Sequence, residues 1–210
     1  MKTIPTLGEI LQAQGVSRRG FMKYCAATAS LLALPPAMVP RIAMALEQAR
    51  RPSVIWLSFQ ECTGCTESLT RSSSPTLEGL IFDSISLDYH HTLQAASGEA
   101  AEAARHAAMQ ENMGKYLVLV DGSIPMANPG YSTIAGISNY DMLMETVEGA
   151  AAVVAIGSCA AFGGIPGANP NPTGAVSVRD LVKDKAVVNV PGCPPIPMVI
   201  TAVLAQFLTF

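Results

Sequence analysis

An α/β domain built on a parallel sheet is the fold this sequence predicts, and three observations carry that expectation. Short, nearly continuous apolar runs recur along the chain, Gly- or Pro-rich loops follow most of them, and helical stretches lie between. Strands that are apolar on both faces belong to a sheet covered on both sides, and helical crossovers between them make the sheet parallel. A doubly wound, flavodoxin-like three-layer α/β/α domain satisfies all three, with its ligands expected at the carboxyl edge of the strands.

Taken in order, the chain opens with a segment set aside from the fold. Ser17-Arg18-Arg19-Gly20-Phe21-Met22-Lys23 is a twin-arginine export motif, and an Ala-rich apolar stretch follows it over residues 25–38. Ala43-Met44-Ala45 is a small-x-small cleavage site that leaves Leu46 as the mature N-terminus. Residues 1–45 therefore read as a signal peptide, and the interrupting Pro35, Pro36 and Pro40 make a membrane-spanning helix the poorer reading.

Residues 46–210 are expected to form one domain. Strands are predicted at 53–59, 85–89, 116–120, 152–156 and 186–190, with helices at 99–113, 139–148, 178–182 and 197–209. The loops at 125–136 and 163–174 are long and rich in Gly, Pro and Asn, as functional loops in compact domains tend to be. The mature part carries eight basic and 15 acidic residues, a net charge near −7, so nothing in its electrostatics favours nucleic acid.

Cys25 leaves with the leader, and the other four cysteines all follow predicted strands: Cys62 and Cys65 after the first, Cys159 after the fourth, Cys193 after the fifth. Strand ends of a parallel sheet share one edge, so four thiols delivered there point to one metal centre. Two disulfides would be the ordinary reading in an exported protein. The twin-arginine route carries folded proteins, often with cofactors already inserted, which favours metal. Structural zinc sites use paired C-x-x-C knuckles close in sequence. Here there is one such pair, with gaps of 94 residues from Cys65 to Cys159 and 34 from Cys159 to Cys193. That spacing suits a cubane iron–sulfur cluster better. Zinc, two disulfides and a thioredoxin-like pair at Cys62 and Cys65 stay open as alternatives.

Trp56 reads as core, and His90, His91 and His106 lack metal-ligand spacing to the cysteines, which suits strand-end or surface roles. Glu67 and Ser68 are placed to cap a helix after the first cysteine loop.

The segments Glu61-Cys62-Thr63-Gly64-Cys65-Thr66-Glu67-Ser68, Gly157-Ser158-Cys159 and Pro191-Gly192-Cys193-Pro194-Pro195 resemble the small subunit of exported nickel–iron uptake hydrogenases. The leader, Ile85-Ser86-Leu87-Asp88-Tyr89-His90 and Val120-Asp121-Gly122-Ser123-Ile124-Pro125 agree with that resemblance. It implies an electron-transfer subunit of an H2:acceptor oxidoreductase on the periplasmic side of the cell membrane. Cys62, Cys65, Cys159 and Cys193 match the ligands of that family's proximal [4Fe-4S] cluster. The implied partners are a large subunit carrying the nickel–iron centre and a membrane cytochrome or another electron acceptor. Glu61 and Thr63 lie where the family has a proposed proton route. Gly64 and Gly164 stand where oxygen-tolerant members carry two extra cysteines, so an ordinary cubane is implied. The family's further clusters belong to a C-terminal domain whose ligands this sequence lacks, so the isolated chain is expected to be inactive. The exposed apolar loops around Pro125 and Pro166 are the expected large-subunit interface.

Overall fold

The computed structural model describes residues 15–31, 33–48 and 51–209. In chain order these form α1 (Arg18–Leu31), α2 (Val39–Gln48), β1 (Ser53–Ser58), α3 (Gly64–Thr70), β2 (Ser86–His90), α4 (Gly98–Glu111), β3 (Leu117–Asp121) and β4 (Ile124–Pro125). They continue with β5 (Thr133–Ile134), β6 (Ile137–Ser138), α5 (Asn139–Glu148), β7 (Ala152–Ile156) and α6 (Gly157–Phe162). Last come β8 (Ala175–Val176), α7 (Val178–Leu181), β9 (Val187–Val190) and α8 (Pro197–Thr209). A helical turn at Leu77–Gly79 and a π turn at Leu80–Ser84 precede β2.

The contacts divide the chain into two units. One comprises Ser53–Ser68 and Leu87–Ile196; the other comprises the described residues up to 52, Leu69–Ser86 and 197–209. The central sheet has the order β2-β1-β3-β7-β9, with β1–β3, β3–β7 and β7–β9 paired in parallel. Numbered by sheet strand alone this is 2-1-3-4-5, the flavodoxin-like order, whose topological switch point lies between β1 and β3. Every residue of β1, β3 and β7 is buried, as strands covered on both faces must be. The main core joins Ile55, Leu57, Val118, Val120, Val153 and Ala155 of these strands to residues from the helices.

Helix starts are set locally. Ser138 accepts the Asp141 N–H at 3.1 Å and donates to the Asp141 carboxylate at 2.6 Å, opening α5. Ser177 and Asp180 form a complete capping box at α7. The expected strands agree with the observed ones to within one or two residues. The two long loops are tied to each other by the antiparallel β4–β8 pair and by the Met126 N–H on Gly174 O at 3.1 Å.

In the other unit, Phe21, Cys25 and Ala29 of α1 pack with Ile42 and Ala43 of α2. Residues 1–14 of the expected leader lie outside the described residues. Among the described residues, no helix is long and apolar enough to cross a membrane.

Candidate metal centre

Register places the carboxyl ends of four strands in one row: Ser58 pairs with Asp121, Asp121 with Ile156, and Ile156 with Val190. The cysteine segments leave from this row. Cys62 lies just past β1, Cys65 in the first turn of α3, Cys159 in α6 directly after β7, and Cys193 three residues past β9. Cys65 and Cys159 therefore sit in short helices where the sequence suggests loops. Each helix opens on Gly and is only six or seven residues long, too short to show a helical period in the sequence.

Hydrogen bonds stitch the segments together. Gln60 and Ser123 exchange backbone bonds at 3.1 Å, tying the first cysteine segment to the loop after β3. The Ser158 N–H donates to Gly192 O at 2.8 Å, joining the Cys159 and Cys193 segments. The Ser68 hydroxyl donates to Pro195 O at 2.5 Å, so it binds the Cys193 loop instead of capping α3. Glu67 does lie in the first turn of α3, where a negative charge suits the helix dipole.

Cys62 and Cys193 are exposed, Cys65 and Cys159 are half-buried, and none of the four is in a disulfide. Burial pushes the Cys65 thiol up to about 12, and Asp121, Cys159, Glu61 and Cys62 add to the effect. Burial likewise raises Cys159, with Cys193, Cys62 and Glu61 adding to it. The four thiols thus share one electrostatic neighbourhood in which their ionised forms repel. A positive centre is what would let them ionise together.

Two glycines leave room beside the sulfurs. A Cβ at Gly157, where φ is +85°, would lie 2.4 Å from Cys65 Sγ, and one at Gly164 would lie 2.6 Å from Cys159 Sγ. Among the described residues, no three His, Cys, Asp or Glu side chains converge tightly enough for a single metal ion.

Polar groups back the thiols. The Thr63 hydroxyl donates to Glu61 Oε1 at 3.2 Å, while Glu61 Oε2 is buried without a hydrogen-bond partner. Burial, helped by Asp121, pushes the Glu61 carboxyl up to about 7. Thr63 itself holds φ at +67°, a left-handed conformation that a β-branched residue adopts only under constraint. Asp121 is fully buried; its Oδ1 accepts from Trp56 Nε1 at 3.0 Å and its Oδ2 from the Thr66 hydroxyl at 3.4 Å. Burial pushes Asp121 up to about 6 against those hydrogen bonds. The Thr66 hydroxyl also lies 3.3 Å from His90 Nε2. His90 is fully buried at the end of β2, and burial, with His91 adding to it, lowers its imidazole to about 4.

All four predicted cysteines and the Glu61–Thr63 pair are brought to this edge. Trp56 is core as expected, yet its indole N–H has a polar task. His90 occupies a strand end, not the surface. The Trp56–Asp121–Thr66–His90 network escapes a reading of the sequence because its members are spread over 66 positions, and each alone passes for core or loop.

Residues 62–207 match the family described as NADH ubiquinone oxidoreductase, 20 Kd subunit. The chain is 45% identical over 202 residues to the Hydrogenase-2 small chain of Escherichia coli (strain K12), covering 96% of this chain and 54% of that one. It is 43% identical to the uptake hydrogenase small subunit of Azotobacter vinelandii, over all of this chain and 59% of that one. Among solved structures, a reduced, active form of the nickel–iron–selenium hydrogenase from Desulfomicrobium baculatum superposes with a TM-score of 0.71 at 37% identity. That match covers 73% of this chain and 61% of the other. The chain spans little more than half the length of the curated relatives it matches.

Proposed function

Because the chain belongs to the family described as NADH ubiquinone oxidoreductase, 20 Kd subunit, we propose that it is the electron-transfer small subunit of a nickel–iron hydrogenase. The observation that carries this reading is the gathering of Cys62, Cys65, Cys159 and Cys193, from three stitched strand-end segments, into one electrostatic neighbourhood. In this reading the four thiolates hold one [4Fe-4S] cluster, which supplies one-electron storage and release when bound. The chain's own part is to present the thiols, exclude water on the Cys65 side and aim backbone at the sulfurs through Gly157 and Gly164.

Electrons come from H2 oxidation at a nickel–iron centre in a large subunit and leave toward a membrane cytochrome or another acceptor. The twin-arginine segment at residues 17–23 directs the folded subunit to the periplasmic side of the membrane. Glu61 and Thr63 supply the site's proton route, the Thr63 hydroxyl donating to Glu61 Oε1 at 3.2 Å.

The large subunit docks on the segments that carry the thiols. Phe162, Ile165 and Ile196 expose 67%, 78% and 64% of their surface, and these residues flank Cys159 and Cys193 in sequence. Buried aromatic anchors dominate obligate interfaces, so Phe162→Asp is expected to cost about 2 kcal/mol of association. Anaerobic co-purification with the large subunit reads this. Loss of the complex with iron content unchanged supports the assignment; undiminished pairing in a Phe162→Asp, Ile165→Asp double variant contradicts it.

A further inference from the structure

We infer that Thr66 is a positioning residue for the metal centre, its hydroxyl locking the Cys65 end of the site to the β1–β3 switch point. The inference rests on the cluster reading above.

Thr66 follows Cys65 directly inside α3, and its side chain is buried. Its hydroxyl meets both Asp121 and His90, at 3.4 and 3.3 Å. The direction of each bond follows from its neighbours. The Thr92 N–H donates to His90 Nδ1 at 3.3 Å, so in the neutral ring the proton resides on Nε2. Nε2–H then donates to the Thr66 oxygen, which leaves the Thr66 hydrogen for Asp121 Oδ2. Trp56 supplies the other donor, to Oδ1 at 3.0 Å, and its ring lies 5.0 Å from the His90 ring at 31°. A continuous run of donors from β2 through α3 therefore ends on a carboxylate at the last residue of β3.

The hydroxyl holds the first turn of α3 by two bonds of opposite sense, one accepted and one donated. The adjoining Cys65 has only a long sulfur contact of its own, 3.8 Å to Ile156 O. The orientation of that thiol is thus set through its neighbour. Outer partners of this kind typically change metal retention 10- to 100-fold when removed.

The test compares wild type, Thr66→Val and Thr66→Ser on the full chain purified with its cluster under anaerobic conditions. Valine keeps the shape and removes the hydroxyl; serine keeps the hydroxyl. Two readouts are taken: the rate of iron loss to excess ferrous chelator, and the paramagnetic resonance spectrum of the reduced cluster. Thr66→Val is expected to lose iron about 10-fold faster and to show shifted g values, with secondary structure unchanged. Thr66→Ser is expected to restore both. If Thr66→Val does not fold, Thr66→Ala carries the same comparison. A Thr66→Val chain that matches wild type in both readouts overturns the inference, as does a Thr66→Ser chain that fails to recover. A wild type without iron overturns the cluster reading itself and this inference with it, whereas a loaded wild type with an unaffected Thr66→Val overturns this inference alone.

Discussion

Gly157→Ala is expected to empty the proposed metal centre while leaving the sheet standing. Gly157 begins α6 directly after β7 with φ at +85°, a region that costs an L residue about 1–2 kcal/mol. The larger penalty is steric, since the added Cβ would lie 2.4 Å from Cys65 Sγ, with Gly192 O at 3.6 Å on another side. Gly192 O is at ordinary contact distance, so the whole clash falls on the Cys65 side chain. The thiol must swing away, and a four-thiolate site loses a ligand. Iron per chain should fall to background while the far-ultraviolet circular dichroism stays that of wild type. A Gly157→Ala chain with undiminished iron would show that Cys65 is not held where the structure puts it.

Arg105→Leu is expected to produce the largest stability loss away from the site. The Arg105 side chain is fully buried in α4, where it donates to Glu102 at 2.9 Å, to Glu145 at 2.7 Å and to the Thr146 hydroxyl at 2.8 Å. Tyr89 adds a bond to Glu102 at 2.8 Å, so one guanidinium joins α4, α5 and the end of β2. Removing one member of a buried ion pair strands the charge of the other, at a cost of 3–5 kcal/mol. Glu145 is half exposed and can be rehydrated, which places the expected cost at the lower end, about 3 kcal/mol. Thermal unfolding should fall by roughly 6–12 °C. Glu145→Gln, which keeps the shape and leaves Arg105 paired with Glu102 and bonded to Thr146, should lose much less. Equal losses in the two variants would contradict a clamp centred on Arg105.

The three central strands are legible in the sequence because they are buried on both faces, and burial on both faces writes an unbroken apolar run. The predicted bounds of β7, α5 and α8 coincide with those observed. The four thiols were legible for a related reason: chemistry at the carboxyl edge follows strands at short, readable offsets. What escaped depends on partners distant in sequence. Arg105 lies in an Ala-rich helix, where a lone cation reads as a solvated side chain until Glu145 is brought 40 positions back to meet it. Ser68 reads as a cap until Pro195 arrives with a carbonyl for its hydroxyl. The two-residue strands β4 and β8 have no periodicity to detect and exist only as a pair.

Cys62, Cys65, Cys159 and Cys193 are proposed to hold one cubane cluster together. Iron and acid-labile sulfide per chain, measured on anaerobically purified protein beside a Cys159→Ser variant, test it most directly. About four of each are expected in the wild type and almost none in the variant. Zinc near one per chain, or four cysteines paired as disulfides without metal, would contradict it.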